Sequence, residues 1–206
     1  MKQKYYAVLG AKETEMDAIE EALSEAGIPY GYACTDDELR VDDHDAYHAK
    51  EIVGGLDRIT PCTIAILIEC DGEEIRNKLC DLTQGYIRIK HHRTSDPGYG
   101  QHSYFSSSSI GRVLMLLAQK GYPVLEGHER RREPRGSEKG CLPGVVKYTT
   151  DGVYLKTSPW EWTQVPEGLL YIAAADRCMG SALRGECAGV DSDKFLDWLK
   201  TVNPNG

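Results

Sequence analysis

One apolar stretch decides the fold: Cys62-Thr63-Ile64-Ala65-Ile66-Leu67-Ile68-Glu69-Cys70-Asp71-Gly72. Its unbroken run of aliphatic side chains, closed by an acid and a glycine, is typical of a strand that is buried on both faces. Such strands occur in parallel sheets that helices cover on both sides. The stretch therefore predicts a central parallel strand that ends close to Asp71.

Strand and helix patterns alternate along the chain on either side of this stretch. Residues 5–10 and 30–33 have strand character, and the apolar side chains of residues 14–23 recur at helical spacing. A short helix is expected near residues 46–52, and a further, weakly alternating strand at residues 86–90. This order predicts an α/β fold with a mostly parallel, Rossmann-like sheet flanked by helices.

The second half begins with four serines, residues 106–109, directly before an apolar helical pattern at residues 110–118. Serine is a preferred N-cap, and the start of a helix presents free amide groups and the positive end of its dipole. The apolar run at residues 169–176 is interpreted as another strand, which ends at Asp176. An amphipathic helix at residues 192–199 is expected to close the chain.

Residues 126–160 are rich in glycine, proline and charge, and we interpret them as an insertion or small lobe of a single domain that spans residues 1–206. A hairpin is expected around Asp151-Gly152. The basic segment at residues 128–135 is either a local basic patch or a solvated loop.

The composition describes an ordinary soluble protein, with 41% hydrophobic and 27% charged residues among 206. A formal charge of −8 argues against an extended nucleic-acid surface, which needs a dominant basic face. The sequence shows neither a signal peptide nor a membrane-spanning run. Seven cysteines without a CxxC pair suggest buried thiols in a reducing compartment, and we expect a cytoplasmic protein.

Several residues with chemical potential lie at the predicted strand ends. Ligands of open parallel sheets gather outside the carboxyl ends of the strands, where Asp71, His91, His92 and Asp176 are expected. Carboxylate and imidazole together suit manganese, zinc or iron, and such a metal can activate water against a phosphoryl group. Adjacent side chains point in different directions, so one histidine would bind the metal and the other would touch the substrate.

Each of these residues also has an ordinary explanation. An acid that closes a strand is often only a turn residue, and two adjacent histidines can be plain surface residues. The prediction of a site therefore depends on the convergence of the strand ends.

These motifs resemble the DHH phosphoesterase superfamily. His91-His92-Arg93 after a strand, the turn at residues 96–100 and Ser107-Ser108-Ser109 opening a helix are similar to the region of its name-giving motif. Glu69-Cys70-Asp71 and the segment at residues 173–178 resemble two motifs that each contribute an aspartate ligand. Lys90 stands where the family has the aspartate of its name-giving motif, and the family's first motif is missing after residue 10.

The resemblance implies a manganese-dependent or other divalent-metal-dependent hydrolase of phosphodiesters or phosphoanhydrides. By position, Asp71, His91 and Asp176 would bind the metal. His92, in contact with the phosphate, and Lys90 would be the catalytic residues. Positive charge for the substrate would come from Arg93 and Arg112, together with the helix start at Ser107, Ser108 and Ser109.

Three functions follow as hypotheses. The first is a metal-dependent phosphoesterase that acts on a nucleotide or oligonucleotide phosphate. The second is a catalytically inactive nucleotide- or phosphate-binding module, which Lys90 favours because an ammonium can replace the charge of a missing metal. The third is a purely structural protein. Under the first hypothesis, Asp71→Ala and His91→Ala abolish activity and leave the fold intact.

Overall fold

The protein was examined as a computed structural model that describes residues 3–11, 13–35, 45–90, 104–132, 142–149 and 151–203. The chain divides into two compact units, Met1–Gly100 and Gln101–Gly206. Each unit has its own sheet and its own buried side chains.

The first unit is built on a five-stranded sheet in the order β3-β2-β1-β4-β5. Its strands are β1 (Lys4–Leu9), β2 (Tyr30–Cys34), β3 (Glu51–Val53), β4 (Thr63–Ile68) and β5 (Tyr86–Ile89). All neighbours are parallel except β3, which runs antiparallel to β2. The central strands β1 and β4 are buried almost throughout, as their apolar runs predict. The expected mostly parallel sheet of an α/β fold is confirmed.

The described part of this unit has two α-helices, α1 (Thr14–Glu25) and α2 (Glu73–Leu82). The helix expected near residues 46–52 is wrong, because only Asp45–Tyr47 form a 3-10 turn and Glu51–Val53 pair with β2. Ile52 and Val53 are β-branched, which suits an extended edge strand better than a helix.

The second unit contains a four-stranded antiparallel sheet in the order β6-β9-β8-β7. Its strands are β6 (Arg130–Arg132), β7 (Val146–Thr149), β8 (Gly152–Ser158) and β9 (Glu161–Gln164). The hairpin expected around Asp151-Gly152 is confirmed by the pairing of β7 with β8. Residues 126–160, expected as an insertion or small lobe, supply three of these four strands.

Within the basic segment, Arg130–Arg132 form an exposed strand at the edge of the sheet rather than a loop. Arg130–Arg132 form β6 and pair antiparallel with β9. Arg130 lies 3.6 Å from the Glu161 carboxylate and Arg131 lies 2.7 Å from that of Asp151, so acids of the same sheet offset part of the charge.

Among its described residues, the second unit also has four helices: α3 (Tyr104–Ser107), α4 (Ser109–Gln119), α5 (Glu167–Leu183) and α6 (Ser192–Val202). The strand expected at residues 169–176 is wrong, because this run is part of α5. A short apolar run does not distinguish a strand from a buried helix, and three consecutive alanines favour the helix. No helix within the described part of the chain is both long and apolar enough to cross a membrane.

Candidate functional site

The sheet of the first unit reverses its direction of growth between β1 and β4. From β1 the chain adds β2 and β3 on one side, and then β4 and β5 on the other. In open α/β sheets, ligands bind outside the carboxyl ends of the strands at such a switch point. The residues that follow β1, β4 and β5 are therefore the candidates for a binding site.

The backbones after β1 and β4 are in close contact at this point. The amide of Gly10 donates to the carbonyl oxygen of Ile68 at 2.9 Å. A Cβ atom at position 10 would lie only 2.1 Å from the carbonyl oxygen of Glu69. Only glycine therefore fits directly after β1, because the ends of β1 and β4 are held against each other.

Asp71 lies at the centre of a cluster of charged side chains after β4 and β5. Its Oδ2 lies 2.9 Å from Nζ of Lys90 and 2.6 Å from Nη2 of Arg88, and its Oδ1 pairs with Nη1 of Arg76. The Asp71 amide donates to the carbonyl oxygen of Ala46 at 3.1 Å, which fixes the backbone that carries the carboxylate. We call Asp71, Arg76, Arg88 and Lys90 the Asp71 cluster.

Exposure differs sharply within the Asp71 cluster. The Lys90 side chain is 0% exposed, and its Nζ also lies 4.4 Å from the centre of the Tyr47 ring, a cation–π distance. The side chains of Arg76 and Arg88 are 32% and 35% exposed. Lys90 therefore supplies buried charge, while the two guanidinium groups can reach a ligand from solvent.

Two buried acids lie at the same end of the unit. Glu69 is buried and has a left-handed backbone, with φ of 51°, and Glu15 is buried in the first turn of α1. Counted with Asp71, these two acids equal in number the three cations of the Asp71 cluster. The positive excess is therefore confined to the Asp71 cluster itself, where three cations face one carboxylate.

The thiol of Cys70, between Glu69 and Asp71 in the sequence, is not a nucleophile. Cys70 is completely buried, and its thiol donates to the carbonyl oxygen of Val8 at 3.5 Å. Burial raises the pKa of Cys70 to about 12, against an opposing effect of the Lys90 charge. Cys70 is thus a protonated core residue at neutral pH.

The Asp71 cluster does not fit the divalent metal that the resemblance implies. Both oxygens of Asp71 already pair with cationic groups, and a metal ion at this carboxylate would lie beside three positive charges. No group of three or more histidine, cysteine, aspartate or glutamate residues suited to a metal occurs among the residues that the structure describes. We derive no chemistry through a metal at Asp71.

The other expected ligands lie either outside the described residues or in the second unit. His91, His92 and Arg93 lie outside the described residues. Asp176 lies inside α5, in the second unit. The prediction that it ends a strand is therefore wrong. The assignments of His91, His92, Arg93 and Asp176 stay predictions.

Two of the three serines expected to bind phosphate already use their hydroxyl groups in hydrogen bonds within the second unit. Ser108 is the N-cap of α4, and its Oγ accepts from the Gly111 amide at 3.1 Å while its hydroxyl donates to the carbonyl oxygen of Phe105. Ser107 donates to the carbonyl oxygen of Tyr104. Ser107, Ser108 and Ser109 are all buried, and Arg112 follows them on α4 as a half-buried residue. The helix cap is confirmed.

Ser108→Ala is therefore expected to destabilise the protein by about 1 kcal/mol, because the Gly111 amide loses its capping oxygen. Urea denaturation should measure this loss. Ser24→Ala, the same change at an exposed position on α1, should alter the free energy of unfolding by less than about 0.5 kcal/mol. Equal stability of the Ser108 and Ser24 variants would contradict the capping role.

Two members of the Asp71 cluster, Arg76 and Arg88, were not anticipated from the sequence. One signal was available: Arg88 and Lys90 are two positions apart on a strand and so share a face, which places both cations together at its end. The sequence gave no comparable signal for Arg76, because its pairing with Asp71 depends on the direction in which α2 runs from its start at Glu73.

We compared the chain with models of protein families, with curated proteins and with solved structures, and none of the three comparisons gave a match.

Proposed function

We propose that the chain is a binding or regulatory module, related to the DHH phosphoesterases, that holds a small phosphate-containing ligand such as a nucleotide at the carboxyl ends of β4 and β5. The observation that carries this proposal is the Asp71 cluster, in which three cations surround one carboxylate. The Asp71 cluster also lies beside the switch point between β1 and β4, which is where open α/β sheets bind their ligands.

The ligand would be held by the two guanidinium groups. Arg76 and Arg88 each direct part of their hydrogen-bonding capacity to Asp71, and each is about one-third exposed. A guanidinium has five N–H donors in a planar fork, so both side chains can pair with Asp71 and with a phosphate at once. Asp71 thereby orients the donors, and the buried Lys90 adds positive charge that solvent does not screen.

Lys90 connects this proposal to the family resemblance. A phosphoesterase of this type needs a carboxylate at that position to support its metal, whereas here an ammonium pairs with Asp71. We propose that the chain retains a Rossmann-like sheet and a phosphate site, and that Lys90 and its neighbours supply the charge that a metal would provide.

The test is equilibrium binding of inorganic phosphate, a mononucleotide and a dinucleotide, measured by titration calorimetry at low and physiological salt. We expect Arg88→Gln to weaken binding about tenfold, because one charge-assisted hydrogen bond to phosphate is lost. Binding should also weaken as salt is raised, since the two arginines are partly exposed.

Arg58→Gln is the matched control. It makes the same change of charge at an exposed arginine near the start of β2, at the opposite end of the sheet. It should leave the dissociation constant within about twofold of the starting protein. Absence of binding by all three ligands, or equal losses for Arg58→Gln and Arg88→Gln, would contradict the proposal. Turnover of a phosphodiester that requires Mn²⁺ would favour the phosphoesterase instead.

A further inference from the structure

Two cysteine thiols meet in the second unit, apart from the Asp71 cluster. The Sγ atoms of Cys178 and Cys187 lie 2.9 Å apart, although the residues are nine positions apart in sequence. Both side chains are half-buried, and both cysteines are free. A disulfide bond is about 2.0 Å long, so the two sulfur atoms need to approach by only about 0.9 Å more to bond.

The backbone on both sides holds these thiols in position. Helix α5 kinks at Cys178, whose φ of −155° and ψ of 38° are not helical. On the other side, the Val190 amide donates to the carbonyl oxygen of Cys187 at 3.1 Å, and the Tyr104 hydroxyl donates to that of Ala188 at 2.7 Å. The kink and the anchored loop together place the two thiols face to face.

We propose that Cys178 and Cys187 form a reversible disulfide, and that the pair is a redox-modification site whose oxidant is a low-molecular-weight disulfide such as oxidised glutathione. The resting form is the dithiol, as the reducing compartment expected from the sequence would maintain it. Disulfides in such compartments are transient and serve catalysis or redox sensing.

The reaction is an ordinary pair of thiol–disulfide exchanges. One cysteine, as its thiolate, attacks a sulfur of the oxidant, forms a mixed disulfide and releases one thiolate. The other cysteine then attacks the protein sulfur of the mixed disulfide and releases the second thiolate. The two cysteines lose two protons and two electrons, and the oxidant is reduced to two thiols.

Burial raises the pKa of the Cys178 thiol, and its contact with Cys187 adds to this effect. At neutral pH Cys178 is therefore protonated, which slows its attack on an oxidant, so we assign the first attack to Cys187 and the second, intramolecular attack to Cys178. A metal is the weaker explanation of the contact, because no group of three suitable side chains gathers there within the described residues.

The disulfide would tie the kink of α5 to the loop that precedes α6. Arg177, next to Cys178, donates its Nε to Oγ of Ser107 at 3.3 Å. The cross-link therefore forms beside the contact between α3 and α5, and it restrains the unfolded chain as well as the folded one.

The test treats the native protein with oxidised glutathione, blocks the remaining thiols by alkylation and digests the product with trypsin. Cleavage after Arg177, Arg184 and Lys194 places the two cysteines on separate peptides, residues 178–184 and 185–194. We expect a linked pair of these peptides, lighter by two hydrogen atoms than their sum. It should exceed the glutathione adducts of Cys178 and Cys187 by about tenfold, because the second exchange is intramolecular.

Cys62 and Cys80 are the internal controls, since both are exposed and free. They should carry glutathione or alkyl groups and no linkage to each other. Reduction with dithiothreitol should restore both separate peptides, and oxidation in denaturing guanidinium chloride should remove the preference for the linked pair. Glutathione adducts or alkyl groups on Cys178 and Cys187 without the linked peptides would overturn the proposal.

Discussion

Asp71→Asn is expected to lower the free energy of unfolding by about 3–5 kcal/mol, because it removes the carboxylate that pairs with a fully buried ammonium. Asparagine keeps the size of the side chain, so the change is one of charge. After it, Lys90, Arg76 and Arg88 face one another without the carboxylate that separates them. Chemical denaturation followed by circular dichroism should measure the loss, and hydrogen exchange at the amides of β4 and β5 should locate it.

The double variant Asp71→Asn, Lys90→Met is the decisive control. Methionine fills a similar volume without charge, and replacing both partners of a buried ion pair is often neutral or stabilising. The double variant should therefore regain much of the stability that Asp71→Asn loses. Asp81→Asn, at an exposed position on α2, should change the stability by less than about 0.5 kcal/mol. Wild-type stability of Asp71→Asn would contradict the ion-pair cluster.

This prediction replaces the one made from the sequence, under which an Asp71 variant loses activity and keeps its fold. A strand-end acid in solvent could be replaced without harm to the core. In the structure Asp71 is 12% exposed and offsets the charge of a buried lysine, so the fold itself depends on it.

Gly10→Ala is the second change with a large expected effect, a loss of about 3 kcal/mol or more. A Cβ atom at this position would lie 2.1 Å from the carbonyl oxygen and 2.6 Å from the carbonyl carbon of Glu69. Both are backbone atoms, so relief requires the ends of β1 and β4 to separate. Thermal and chemical denaturation should show the loss, and phosphate binding should weaken as well if the strand ends carry the ligand.

Two further glycine variants separate the clash from other effects of alanine. Gly168 lies in the first turn of α5 with no atom near a new Cβ, so Gly168→Ala should be neutral or stabilise by up to about 1 kcal/mol. Gly27 has open space but a φ of 67°, so Gly27→Ala should cost about 1 kcal/mol through the backbone alone. A loss for Gly10→Ala no larger than that for Gly27→Ala would show that the strand ends adjust freely.

Much of the fold could be predicted because its signals are local. The apolar runs of β1 and β4, the serine cap of α4 and the hairpin at Asp151-Gly152 each depend on a few consecutive residues. Helix α5 was missed because the apolar run at residues 169–176 is too short to show helical periodicity, which only the full helix of 17 residues would reveal.

The site was harder to predict because it depends on register. Ile68 pairs with Ile89, and only this alignment of β4 with β5 brings Lys90 beside Asp71. The sequence shows the two charged residues 19 positions apart and gives no measure of their distance. It drew attention to Lys90 at the end of a strand, but it gave no indication that the lysine would be buried against Asp71.

The place of β1 in the sheet has a consequence for synthesis of the protein. Lys4 at the start of β1 pairs with Thr63 of β4, so the middle strand leaves the ribosome long before one of its two partners. Until β4 arrives, one edge of β1 has no partner in the sheet, and the apolar β4 must then insert beside it rather than pair with a strand of another nascent chain. Slow translation or crowded ribosomes should therefore favour aggregation through these two segments, and a holdase that covers β1 early would raise the yield of folded protein.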